Sequence, residues 1–259
     1  MTKKINRIGE TNINTFGSEI IITEYKNSKD INVYFPEYNW TKEHAQYVNF
    51  KNRTIRCPYE PRVCGVGYIG EGKYEVSKNK IFTEPYKKWH SMIVRCYSEK
   101  SLLNKNTYNN CIVCEEWHNF QNFAEWYENN YYEVKNEEMN LDKDILAKGN
   151  KIYGPETCIF VPKRINLLFV NNNNKRGKYP IGVRRSYNKL QAVCIIQDED
   201  GNDKSIFLGS FELNEEDKAF KAYKDFKESY IKEIADKYQD IIPEKLYIAM
   251  YNYEIEYND

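Results

Sequence analysis

The hydrophobic period of this chain changes several times along its length, which restricts it to a set of small mixed modules. Residues 18–25 (SEIIITEY) and 31–35 (INVYF) are short β-branched and aromatic runs separated by the turn-forming cluster Lys26-Asn27-Ser28-Lys29-Asp30. Residues 84–132 switch to a helical period. Trp89, Met92, Ile93, Cys96 and Tyr97 make one stripe, and Trp117, Phe120, Phe123, Ala124, Trp126 and Tyr127 a second. Residues 179–185, 189–197 and 204–211 read as three strands, with the turn sequence DEDGND between the last two. Asn214 then caps a helix opening on Glu215, Glu216 and Asp217, with Ala219, Phe220, Tyr223, Phe226, Tyr230, Ile234 and Tyr238 on one face. The expectation is an α+β protein in three parts: a small β module over 1–66, a central domain over 67–172, and a three-stranded sheet with a helix over 173–259. Prolines 58 and 61 and glycines 65, 67, 70 and 72 mark the first boundary. Residues 45–56 fit a strand or a short helix, and the tail over 247–259 a helix end or an exchanged strand.

No apolar run among the 259 residues approaches the roughly 20 needed to cross a bilayer, and no apolar stretch follows the first lysines as in a secretory signal. The seven cysteines therefore read as reduced thiols of a cytoplasmic protein. The formal net charge is zero, but its distribution is uneven. No Asp or Glu occurs between Thr157 and Gln197, while Lys163, Arg164, Lys175, Arg176, Lys178, Arg184, Arg185 and Lys189 all lie there. Outside this window 30 basic side chains face 38 acidic ones, a balance of −8. Such a stripe is the footprint of a polyanion-binding surface, with double-stranded DNA the expected partner; a solvated loop fringed with lysines is the plainer reading. Four of the eight are arginines, which read phosphates and guanine edges bidentately.

Within and just before this window, residues 139–166 (MNLDKDILAKGNKIYGPETCIFVPKRIN) place Asp142 and Asp144 on a short strand. A Gly/Asn/Pro-rich turn region follows, then an apolar strand over 157–161 and a short basic helix containing Asn166. Carboxylates at the start and an amide at the end are hard oxygen donors suited to magnesium or manganese.

The segment resembles the ββα-metal core of HNH endonucleases, particularly phage homing-type enzymes. Residues 89–97 (WHSMIVRCY), 108–117 (YNNCIVCEEW) and 119–126 (NFQNFAEW) are similar to words in phage HNH-like proteins. Gly182-Val183, Gln191-Ala192, Phe207-Leu208-Gly209 and residues 219–223 resemble the AP2 DNA-binding domain. The resemblance implies Asp142 and Asn166 as metal ligands, with a metal-bound water attacking a phosphodiester. Lys143 takes the place of the catalytic histidine and Thr157 lies near that of the orienting asparagine. A protonated lysine is a poor general base but can stabilise charge on a phosphate, leaving deprotonation to metal-bound water or Asp144. The AP2-like sheet would enter the major groove with Arg184 and Arg185. A phage-encoded chain of this kind would work in the host cytoplasm.

His44, His90 and His118 lie in other segments and read as structural or surface residues. Cys96, Cys111, Cys114 and Cys158 offer a structural zinc as the alternative to buried thiols, since Cys111 and Cys114 have ligand spacing. The same scaffold could serve as a non-catalytic DNA binder, or engage a host protein through an acidic surface including Glu115, Glu116, Glu125 and Glu128. A nucleotide-dependent or acyl-transfer enzyme is disfavoured, because GxxxxGK[ST] and GxSxG are missing and the glycines at 65, 67 and 70 neither follow a strand nor open an obvious helix, reading as an interdomain loop.

Overall fold

The protein is described by a computed structural model covering residues 6–104, 108, 110–170, 178–198 and 201–259. The chain forms two compact units, Met1–Asn129 with Ile152–Gly154, and Asn130–Lys151 with Pro155–Asp259. These units do not follow the expected boundaries at 66/67 and 172/173. The ββα segment belongs with the C-terminal sheet and helix, and the aromatic helices with the N-terminal sheet.

In the first unit, β1 (Thr11–Ile13), β2 (Glu19–Asn27), β3 (Asp30–Phe35) and β4 (Trp40–Ala45) form an antiparallel meander in sequence order. Alternation in β2 and β3 sends Ile20, Ile22, Ile31, Val33 and Phe35 to one face, all fully buried. The short helix α1 (Tyr47–Lys51) adds Phe50 to that core, so residues 45–56 hold a helix and not a further strand. The strands at 11–13 and 40–45 are too short and polar to have signalled themselves. A small hairpin follows, β5 (Ser77–Lys78) and β6 (Ile81–Phe82), turning on Asn79 and Lys80 at φ 51° and 67°.

Helix α2 (Glu84–Tyr97) starts on Pro85 and buries Trp89, Met92, Ile93 and Cys96, as the stripe predicts. After α3 (Glu99–Asn104), helix α4 (Phe120–Asn130) buries Phe120, Phe123 and Tyr127. The two stripes meet: the Trp89 and Phe120 rings lie 5.5 Å apart, and Trp89 Nε1 donates to the Trp117 carbonyl at 2.7 Å. Strand β7 (Ile112–Val113) pairs in parallel with β9 (Ile152–Tyr153), with β8 (Met139–Asp142) between them in sequence but in the second unit.

In that second unit, β8 pairs antiparallel with β10 (Ile159–Pro162), matching Asp142 to Ile159 and Met139 to Pro162. Helix α5 (Lys163–Leu168) follows β10 without a break. Strands β11 (Val183–Ser186), β12 (Lys189–Gln197) and β13 (Asp203–Phe211) form an antiparallel sheet in sequence order, covered by α6 (Glu216–Tyr238), and α7 (Glu244–Tyr251) follows. Strand β11 starts at Val183 and not at 179, because Pro180 lacks an N–H and Gly182 turns the chain at φ 76°. A Cβ on Gly182 would lie within 2.5 Å of the Tyr223 ring, so only glycine fits this approach. One core joins these elements: Ile159 and Val161 of β10, Ile165 of α5, Cys194 of β12, Tyr230 and Ile234 of α6, and Leu246 and Met250 of α7. Among the described residues, no helix is long and apolar enough to cross a membrane.

Candidate functional site

Asp142 is the last residue of β8, where the ribbon gives way to a turn. Its Oδ1 accepts the backbone N–H of Asp144 at 2.9 Å and of Ile145 at 2.7 Å. This side-chain turn fixes the carboxylate and explains why the strand stops there. Burial pushes the Asp142 carboxyl up to about 6, and the neighbouring Asp144 charge adds to the shift against the two N–H bonds. A carboxylate kept expensive to ionise, with a second acid beside it, marks a place where a cation would be welcome. Asp142 and Asp144 offer hard oxygen donors of the kind that suit magnesium or manganese, and Asn166 stands on α5, the helix packed against β8. Among the described residues no three His, Cys, Asp or Glu side chains group together.

Lys143 takes a different position from the one a phosphate-facing residue would need. It is 6 % exposed, and Nζ donates to Asp144 Oδ2 at 3.0 Å and to the Asn150 carbonyl at 2.9 Å. Asn150 Nδ2 returns a bond to the Lys143 carbonyl at 2.6 Å, so the pair closes the turn after β8. Burial alternates through this stretch, with Met139, Leu141, Lys143 and Ile145 buried and Asp142 and Asp144 half-buried, although β8 itself ends at Asp142. Thr157 sits in the turn before β10, outside the strand that the sequence suggested it opens. His44, His90 and His118 all belong to the first unit. His44 meets Asp30 at 3.0 Å, His90 lies beside the Tyr86 ring, and His118 reaches the Val113 carbonyl at 3.1 Å.

The sequence reading missed Lys148 and Tyr253. Lys148 Nζ donates to the Glu254 carbonyl at 3.0 Å and to Asp259 Oδ2 at 2.7 Å, and stands 5.2 Å from the Tyr253 ring centre. Burial drives the Tyr253 hydroxyl above its ordinary range, helped by negative charge on Asp259, Asp144, Glu256 and Asp142. The tail after α7 therefore packs beside the carboxylates. Its alternation of tyrosines and acids was visible, but its docking place was not.

The basic window divides into several environments. Arg184 and Arg185 are exposed on β11, with Arg184 Nε 3.4 Å from Gln191 Oε1 and Arg185 Nε donating to the Tyr187 carbonyl at 3.0 Å. Cross-strand pairing sets Arg184 beside Gln191 and Gln191 beside Ser210, while Val193 pairs with Phe207 and Ile195 with Ser205. This face turns away from α6, since Leu190, Ala192 and Cys194 occupy the buried one, and it exposes Ile195 and Phe207 by about 60 % each. Lys163 pairs with Glu138 at 3.3 Å and Lys189 with Glu212 at 2.8 Å, both on the surface. Lys178 stands 5.0 Å from the Tyr179 ring centre. Arg164, expected on a nucleic-acid backbone, is half-buried and donates from Nη2 to the Gln197 carbonyl at 3.3 Å. Lys175 and Arg176 lie outside the described residues.

All seven cysteines are free thiols; Cys57, Cys96, Cys111, Cys158 and Cys194 are buried, Cys114 is half-buried and Cys64 exposed. Burial raises Cys114 and Cys194 above the usual thiol range, which favours the unreactive protonated form. No protein-family model, curated protein or solved structure matches this chain.

Proposed function

We propose that this chain binds double-stranded DNA through the outer face of the β11–β13 sheet and cleaves it at a divalent-cation centre on Asp142, Asp144 and Asn166. The observation that carries the reading is the β8–β10–α5 arrangement. An antiparallel ribbon ends on a half-buried carboxylate and runs directly into a helix bearing an amide, within the same compact unit as a sheet that exposes arginine and aromatic side chains beside a half-buried glutamine. Arg184 and Gln191 have the functional groups that read base edges, and Phe207 and Ile195 could pack on sugar or thymine methyl groups. Magnesium or manganese held at the carboxylates would supply Lewis-acid charge neutralisation for a phosphodiester. Asp142 is held by its two N–H bonds, and Asp144 keeps its side chain half exposed with Oδ2 engaged by Lys143.

A second reading, DNA binding without cleavage, is favoured by one observation: the Lys143 side chain, at the place of the expected catalytic histidine, is buried and engaged within the turn. The test is an agarose assay of supercoiled DNA with magnesium, manganese or EDTA, run beside gel retardation. Metal-dependent nicking lost in Asp142→Ala establishes the nuclease. Retarded but intact DNA selects the second reading. Neither cutting nor retardation would overturn both and redirect attention to a host-protein partner.

A further inference from the structure

A second site lies in the same unit, at the edge of β12. Strand β11 ends its pairing at Ala192, and among the described residues no strand continues along β12 beyond it. A cavity of about 750 Å³ occupies this edge, walled by Leu167 and Val170 on and just after α5, Ile181 before β11, Ile195 of β12, and Tyr223 and Tyr230 of α6. This volume falls within the range of small-molecule sites, roughly 300–1,000 Å³.

Two cations line this apolar cavity. Lys227 is 7 % exposed, sits in the middle of the buried face of α6, and has no hydrogen bond or ion pair with any described residue. Burial pushes its pKa down, and only the neighbouring Cys194 thiol opposes that shift. An amine on this buried face with no ion pair among the described residues is costly to charge, and an anion held in the cavity would stabilise its protonated form. The Arg164 guanidinium also lines the cavity, and its Nε is buried without a partner. Asp203 contributes one negative charge on the same wall, where Gln197 Nε2 lies 3.5 Å away, but it makes no ion pair with either cation. The balance of the three is one positive charge.

We infer that this cavity is a binding site for a small organic monoanion, a carboxylate on an apolar body, with Lys227 as its counter-ion and Arg164 as a second donor. The site does not involve Asp142, although it shares Ile195 with the exposed face of the sheet.

The test is isothermal titration of the full chain with octanoate and 4-phenylbutyrate, and with 4-phenylbutyramide and inorganic phosphate as controls. The expected result is one saturable site for at least one carboxylate, weakened at least about tenfold in Lys227→Met. Methionine suits the apolar surroundings, so the variant should melt no lower than wild type, which separates lost binding from lost folding. Three results would overturn the inference: no binding of either carboxylate up to about 10 mM, equal binding by Lys227→Met, or an amide binding as tightly as its acid. Binding of phosphate alone would also overturn it, by showing an anion hole that ignores the apolar walls.

Discussion

Replacing Asp142 by asparagine separates the cost of its charge from the bonds it makes. The amide keeps an Oδ1 to accept the Asp144 and Ile145 N–H groups, so the turn that ends β8 is retained. What disappears is the ionisation of a carboxyl raised from 3.8 to about 6 by burial and by Asp144. At about 1.4 kcal/mol per pH unit, that shift corresponds to about 3 kcal/mol. The folded protein holds the proton more tightly than the unfolded chain, so the contribution is complete below about pH 4 and lost as pH rises towards 6. Wild type and Asp142→Asn should then have equal stability near pH 4, and the variant should gain up to about 3 kcal/mol by pH 7. Urea unfolding followed by circular dichroism from pH 4 to 8, in EDTA so that no cation compensates the charge, measures the difference directly. A stability difference that stays flat across this range, or an asparagine variant weaker than wild type at pH 7, would refute the reasoning. Magnesium added at pH 7.5 should narrow the gap by stabilising the wild type alone, an outcome tied to the proposed metal and not to the carboxylate's burial.

Three further changes probe the surrounding architecture. Gly182→Ala forces a Cβ into the Tyr223 ring at a positive φ, and should cost about 2–4 kcal/mol in a urea melt. Lys143→Ala removes the bonds to Asp144 and the Asn150 carbonyl and should cost about 2–3 kcal/mol by calorimetry; lost nicking at unchanged stability would instead place Lys143 in the chemistry. Arg184→Ala should lower DNA affinity and reduce the slope of log K against log salt by about one, measured by fluorescence anisotropy between low and moderate salt. An unchanged slope would remove Arg184 from the interface.

Much of the architecture was legible where a period was sustained. The α2 and α4 stripes, the β2–β3 pair, the β12–β13 hairpin and the long α6 each repeat their pattern over enough residues to overcome local noise. The ribbon and helix around Asp142 were legible as well, because a turn-rich gap between two apolar stretches leaves few alternatives. What escaped was set by tertiary contact. Strands β1 and β4 exist through pairing with β2 and β3, and the tail finds its place beside Asp142 through Lys148. The shared core of the ββα segment and the C-terminal module follows from Val161, Ile165, Cys194 and Ile234 meeting in space, which no stretch of sequence displays.

The two buried lysines show how a periodic pattern can carry more than secondary structure. Lys143 interrupts the alternating face of Met139, Leu141 and Ile145, and Lys227 interrupts the helical stripe of Tyr223, Tyr230 and Ile234. In both places the period demands an apolar residue and the chain supplies an ammonium. The fold resolves the first from within, since Asp144 and the Asn150 carbonyl satisfy Lys143. That completeness makes it a structural cation and weakens its case as a catalytic one. Lys227 receives no such partner among the described residues, and it lines an open cavity. A charge that breaks a period and is satisfied belongs to the scaffold, whereas one that breaks a period and is left unsatisfied points to a ligand. By that physical distinction Lys143, nearest the expected chemistry, is the less promising of the two lysines, and Lys227 is the better candidate for function.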